Sequence, residues 1–250
     1  MNPNVKYRFY ATLLDGFQDY LDSEQNYGKF YSNPDKPGAP TLDQWDNKCL
    51  VDLLNRINRV PFESEAADKG TTFNDVVDCL IAKSPISVKT TFTIDEQAGR
   101  VFAQYNNRNF AFPLSICREF AEYYEGAVSQ VFVSAIVHTK YGDVEVYGYI
   151  DELMPFSIHD IKSTKFYEAF KFKKHWQHRV YPYCLWQKGD AVQYFEYNAT
   201  DFSSTYTERY EWMPDRDVPL LVEHCERLIE FLEAYRPYIT DKKIFNLIEN

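Results

Sequence analysis

The chain has 250 residues, enough for one domain or one domain with an inserted lobe. Its formal net charge is −10, from 27 Lys and Arg against 37 Asp and Glu, which argues against nonspecific duplex binding by the whole surface but leaves room for a local basic cleft. Hydrophobic content of 45% supplies a core, and 20 Tyr with 19 Phe predict half-buried strands and an aromatic-lined groove, or equally a tyrosine-rich core.

In chain order, the N-terminal region reads as mostly helical. Thr12–Leu21 predicts a helix from its apolar spacing, Asn33–Pro40 a Pro/Gly loop, and Asp43–Val60 a second helix with Leu50, Leu53, Leu54 and Ile57 inward. Gly70–Leu80 predicts a third, with Phe73, Val76, Val77 and Leu80 at core spacing and Thr71 or Thr72 as its cap. Val88–Phe112 alternates, with turns near Glu96–Gly99 and Asn106–Asn109, and reads as a small β insertion. Leu114–Gly126 is helical. Gln130–Val137 and Val144–Asp151 are strands joined at Tyr141-Gly142-Asp143, and Phe156–Ser163 is the next strand. Phe166–Lys188 reads as a helix with Phe166, Phe170, Trp176, Val180 and Cys184 on one side, kinked or halved at Pro182. Val192–Tyr197 and Thr205–Trp212 add two strands. Val218–Tyr235 closes the chain as an amphipathic helix with Leu220, Leu221, His224, Leu228 and Leu232 inward. The sum is an α/β fold: one domain over 1–250, a central mixed sheet flanked by helices, a helical N-terminal extension and an insertion near 88–112.

The chemistry concentrates in Gly148–Tyr183. Asp160 and Lys162 lie two apart on a strand and project together, with Ile161 turned the other way. A hairpin across Glu152–Phe156 brings Asp151 toward Asp160. Two carboxylates so close repel unless a cation joins them. Magnesium suits such a site, since it takes oxygen ligands and uses one or two carboxylates plus water and phosphate. A neighbouring lysine can orient a water or stabilise charge growing on a phosphate, so the group points to metal-assisted phosphodiester hydrolysis. Gln177 and Tyr181, four apart, share one helix face. Lys162, Lys165, Lys171, Lys173, Lys174 and Arg179, against Asp160 and Glu168, form a basic, aromatic-rich stretch suited to phosphate tracking and base stacking on single-stranded nucleic acid.

This segment resembles the RecB-like branch of the PD-(D/E)xK nucleases, which includes the CRISPR-adaptation nucleases. The resemblance rests on Gly148-Tyr149-Ile150-Asp151, then Asp160-Ile161-Lys162, then Gln177 and Tyr181, in that order. It implies a restriction-endonuclease-like core and a Mg²⁺- or Mn²⁺-dependent deoxyribonuclease, an exonuclease of DNA repair, recombination or phage DNA processing. It implies metal binding by Asp151, Asp160 and the Ile161 carbonyl, water positioning by Lys162, and DNA contacts by Gln177 and Tyr181. Upstream, where the family often carries a metal-binding histidine, this chain has Asn74, so that Asn74, Asp75 or Asp78 takes the role, or none does. The second function class is therefore a catalytically weakened nuclease-fold protein that binds DNA or a partner protein. The third is an aromatic-rich binding domain, if the resemblance fails.

The remaining residues are expected to be structural. Cys49, Cys79, Cys117, Cys184 and Cys225 are spread out without a Cys-x-x-Cys pair, so a zinc ribbon is not expected. The C-terminal cysteine group of the family's iron–sulfur relatives is missing, so no such cluster is expected, and free thiols in a reducing cytosol are. His138, His175, His178 and His224 read as packed or surface residues, and Arg209 with Glu211 as a surface ion pair. With no Gly-x-x-x-x-Gly-Lys loop, ATP hydrolysis is not supported, and any helicase or recombination partner is another polypeptide. No signal-peptide core or membrane-length apolar run is evident, so a cytoplasmic protein without membrane contact is expected.

Overall fold

The computed structural model describes residues 5–31, 38–84 and 86–246. The protein is α/β, with a mixed central sheet flanked by helices. The sheet contains β1 (Val5–Tyr10), β5 (Val128–Thr139), β6 (Gly142–Met154), β7 (Ser157–Ser163), β8 (Tyr194–Thr200) and β9 (Thr205–Glu211). A separate antiparallel sheet, β2 (Thr91–Asp95), β3 (Arg100–Tyr105) and β4 (Arg108–Pro113), is the β insertion expected from the alternation over 88–112.

Strand β1 was not foreseen. Val5–Tyr10 buries every second residue and runs parallel to the first half of β6, with Phe9 opposite Val146 and Tyr10 opposite Tyr147. The other edge of β6 is taken by β5 along its whole length. The antiparallel β7 therefore shares the β1 edge, and pairs only at its far end, over Glu152–Met154. Between the end of β1 and the point where β7 splays away, residues 148–151 of β6 face an opening. That opening is the cleft described below.

Helices α1 (Ala11–Leu21), α3 (Leu42–Ile57), α6 (Gln177–Trp186) and α7 (Pro214–Ala234) enclose the main core, which includes Phe9, Leu14, Phe17, Val146, Ile150, Phe195 and Leu228. A short α2 (Ser23–Phe30) precedes α3. A second core joins α4 (Glu65–Ile81) and α5 (Leu114–Tyr123) to the small sheet, and Ile161 reaches it from β7. Most of the predicted loop Asn33–Pro40 lies outside the described residues.

Some sequence expectations are corrected. Helix α4 begins earlier than Gly70: Ser64 caps it by accepting from the Ala67 N–H, and Thr72 lies inside it, donating to the Asp68 carbonyl. The predicted helix from Phe166 forms only from Gln177. Phe166 and Phe170 are about seven-tenths exposed, at 69% and 71%, so their helical spacing does not mark a buried face. Instead Glu208 on β9 accepts the backbone N–H groups of Lys171 and Phe172, at 2.8 and 3.2 Å, which a helix would have bonded within itself. Pro182 does not end α6, which continues to Trp186. On α7, Leu221, His224, Leu228 and Leu232 are buried as expected, while Leu220 is exposed. No described helix is long and apolar enough to cross a membrane.

Candidate active site

The cleft on the β6 edge has a volume of about 350 Å³, and Asp151, Asp160, Ile161, Lys162, Asn74, Gln177 and Tyr181 all line it. Strands β6 and β7 and helices α4 and α6 bring them there. The β6–β7 hairpin pairs Glu152 with His159, so Asp151 and Asp160 stand next to each other where the ladder stops. The ladder bond lost there is replaced by a side chain: the Ile161 N–H donates to Asp151 Oδ2 at 2.9 Å. Asn74 reaches in from α4 and donates from Nδ2 to the same oxygen at 3.2 Å.

Lys162 joins Asp160 to Gln177. Its Nζ lies 2.6 Å from Asp160 Oδ2 and donates to Gln177 Oε1 at 2.8 Å. Gln177 in turn donates from Nε2 to Asp160 Oδ1 at 2.7 Å, so one amide holds both Asp160 and Lys162 in place. Tyr181, one turn along α6, packs against Gly148: a Cβ there would stand 2.6 Å from the tyrosine ring. Glycine is required at 148 because α6 approaches the strand so closely. Gln177 and Tyr181 brace the acids, the Gln177 amide bonding both Asp160 and the Tyr181 hydroxyl.

Electrostatics follow from burial. Removal from water pushes the Asp151 carboxyl up to about 8, and Asp160 pushes the same way, against Lys162 and the Ile161 N–H. Burial works against the Lys162 ammonium, but Asp160 and Asp151 outweigh it and raise its pKa above the ordinary lysine value. Lys162 is therefore a fixed cation, suited to hold a water or a developing negative charge rather than to accept a proton. Burial also raises the Tyr181 phenol, so it remains protonated.

Among the described residues, no group of three or more His, Cys, Asp or Glu side chains is arranged to hold a metal ion. The donors in the cleft are two carboxylates and an amide. Asn74 Oδ1 is a buried oxygen without a hydrogen-bond donor, and Asp160 Oδ2 meets only the Lys162 ammonium, which leaves lone pairs for a hard cation. This set fits a divalent ion that keeps several waters. Asp78 is not part of it: its carboxyl pairs with that of Glu152, which Ser129 also bonds, and Asp75 accepts from Ser87. Burial and the Asp78 carboxyl push Glu152 up to about 9, so this pair shares a proton.

The basic stretch is dispersed. Lys174 pairs with Asp22 at 2.7 Å, Lys171 is tied to the Phe166 carbonyl at 2.6 Å, and Arg179 sits 3.4 Å from buried Asp217 with its guanidinium over Trp176. Lys165 and Lys173 are exposed and, among the described residues, in no ion pair. His178, expected at the surface, is inside, and His175 is half-buried; burial lowers them to about 2 and about 4, so both are neutral at physiological pH. His224 is buried, stacked 3.8 Å from Trp176. Arg209 pairs with Glu196 rather than Glu211.

Sequence reasoning missed Asp15. It is buried on α1 and accepts the Trp176 N–H at the start of α6, which fixes where Gln177 begins; burial pushes it up to about 7. An acid set between Leu14 and Phe17 on an apolar helix was the available signal. A larger cavity of about 630 Å³ lies between α5 and β8–β9, where Arg118 is paired with Glu96 and Glu119 accepts from Thr205, and Glu122 is the remaining charged side chain of its lining. The smaller cleft holds the convergent titratable groups.

No family model matches the chain, and no curated protein does. Among solved structures, the crystal structure of SSO0001 matches at 11% sequence identity and a TM-score of 0.42, covering 92% of this chain and 78% of that one. Likeness at that level carries no argument about function.

Proposed function

We propose that this protein is a Mg²⁺- or Mn²⁺-dependent deoxyribonuclease of the PD-(D/E)xK type, acting as an exonuclease in repair, recombination or phage DNA processing. The observation that carries the reading is the cluster Asp151–Asp160–Lys162–Gln177 at the splayed end of a β-hairpin, with the buried Asn74 Oδ1 lacking a donor beside it. Asp151 and Asp160 would hold the metal, with the Asn74 amide oxygen and the Ile161 carbonyl as further donors. The bound metal would supply Lewis-acid stabilisation of the phosphate and a water acidified toward hydroxide. Lys162 contributes a buried positive charge at the same place, and Gln177 keeps that charge on Asp160 until substrate arrives. Helix α1 starts at the cleft wall with Ala11 and Thr12, and a helix start favours a phosphate. Lys165 and Lys173 remain as exposed cations for the strand. A cytoplasmic setting, alongside a separate helicase or recombination protein, accords with this activity.

Asn74 favours a second reading, a nuclease-fold protein that binds DNA or a partner with little catalysis. An amide adds no charge to the site, and its Nδ2 is spent on Asp151. Incubating end-labelled single- and double-stranded DNA with Mg²⁺, Mn²⁺ or EDTA, beside Lys162→Ala, tests both. Metal-dependent release of label that falls about 100-fold or more in the variant is expected. No cleavage by folded protein that still binds DNA would replace the first reading with the second.

A further inference from the structure

Strand β6 alternates in exposure up to Ile150: Val144, Val146, Gly148 and Ile150 are buried, while Tyr147 is half-buried and Tyr149 exposed. Tyr147, Tyr149 and Asp151 are successive alternate residues, and all three line the cleft. The aromatic surface does not stop at the cleft. Phe132 lies opposite Tyr149 in the β5–β6 ladder, their ring centroids 5.2 Å apart, and Phe132 lies 6.3 Å from Tyr147. On the other side Tyr10 of β1 faces Tyr147 at 6.4 Å and lines the cleft too. Four rings thus cross three neighbouring strands and meet the acidic site at one end.

The two outermost rings are open to solvent. Tyr149 is 58% exposed and Phe132 47% exposed. A neighbouring pair of large rings left in water beside a cleft marks a contact surface. The surrounding cations do not point to a phosphate track: Arg8 sits over Tyr147 but pairs with Glu145 at 2.6 Å, and Arg59 sits over Tyr10 but pairs with Asp241 at 2.7 Å. They rigidify the inner rings and leave the outer faces for stacking. A duplex keeps its bases stacked inside, whereas unpaired bases offer the π-faces that this row can meet.

We propose that Tyr149 and Phe132, backed by Tyr147 and Tyr10, form a stacking platform for the unpaired bases of single-stranded DNA whose backbone lies in the Asp151–Asp160 cleft. The inference rests on the nuclease reading and assigns it a strand-holding surface. Its position on β5–β6, rather than on the basic stretch after Lys162, makes affinity depend on rings more than on charge.

The test is binding of labelled oligo(dT) and of a blunt duplex in EDTA, by fluorescence anisotropy, to the unaltered protein, Tyr149→Ala, Phe132→Ala and Tyr149→Phe. Each alanine variant is expected to lose about 5- to 150-fold in single-strand affinity, the equivalent of one lost stack. Tyr149→Phe is expected to bind as the unaltered protein, and duplex binding to be unmoved. Unchanged single-strand affinity in both alanine variants, or equal losses for duplex and single strand, would overturn the platform. Both side chains are about half in solvent, and matching thermal melts for all four proteins exclude misfolding as the cause. The two proposals fail separately: the platform falls, and the nuclease reading stands, if Lys162→Ala abolishes cleavage while Tyr149→Ala binds normally. Ring-dependent binding without metal-dependent cleavage supports the platform and removes the nuclease.

Discussion

Asp151 is a group whose burial costs the apoprotein stability, and replacing it with asparagine should reveal how much. Its carboxyl is raised from the ordinary 3.8 to about 8 in the fold. In the unfolded chain it releases its proton near the ordinary value, so between about pH 4 and about pH 8 the folded protein holds a proton that the unfolded chain has given up. The unfolded state binds fewer protons across that window, and stability falls as pH rises through it. Each pH unit within the window is worth about 1.4 kcal/mol, so by about pH 7 the loss approaches roughly 4 kcal/mol as a ceiling. Asp151→Asn removes the titration. Its side-chain oxygen can still accept the Ile161 N–H, and Lys162 keeps both Asp160 and Gln177. In EDTA the variant should therefore be more stable than the unaltered protein by about 1–4 kcal/mol at about pH 7, with the gain shrinking toward zero at about pH 4. Urea unfolding of both proteins across that range measures it. With Mg²⁺ the order should reverse at high pH, because the metal stabilises only the protein that keeps the carboxylate. A variant no more stable at pH 7 than at pH 4, relative to the unaltered protein, would refute the claim that Asp151 is held against its own desolvation.

Two further substitutions separate roles within the cleft. Gln177→Ala removes the amide that holds Asp160 and Lys162, so Mn²⁺ affinity by calorimetry, or the cleavage rate, should fall by about 10- to 100-fold; a rise in KM for DNA with kcat unchanged would make Gln177 a strand contact instead. Asn74→Asp adds a third acid beside Asp151 and Asp160. It should lower the apoprotein's melting temperature and tighten Mg²⁺ by about tenfold or more, an added charge being worth at least about 1.4 kcal/mol there. Thermal melts with and without Mg²⁺ read both effects, and equal melting shifts in the two proteins would leave Asn74 outside the metal's reach.

Much of this fold was legible in the sequence because local patterns carried it. The alternation over Val88–Phe112 became the small sheet, and the strands leading to Asp151 and through Asp160–Lys162 formed with the hairpin between them. Spacing of two on a strand and four on a helix was enough to bring Asp160 with Lys162, and Gln177 with Tyr181. What local pattern could not show was which groups satisfy each other across the chain. Val5–Tyr10 is a strand only because the first half of β6 is free to pair with it, and nothing near it in sequence announces a parallel partner. Phe166–Trp176 has helical spacing but is held open by Glu208, whose carboxylate takes the N–H groups a helix would have used. Lys171, Lys174 and Arg179 look like a basic stripe in one dimension and are ion-paired or tied to oxygen acceptors on different elements in three.

The sequence by itself determined the donor chemistry: two acids, a lysine and an amide placed at the end of a hairpin and the start of a helix. Only the tertiary structure decided that Gln177 clasps Asp160 and Lys162, that Asp78 turns to Glu152 instead of the cleft, and that β1 and β7 share one edge of β6 and leave an opening between them. The reason is physical. Residue type and spacing fix what a side chain can do and which neighbours along the chain share its face, whereas burial and partner choice depend on which distant strands compete for the same backbone edge.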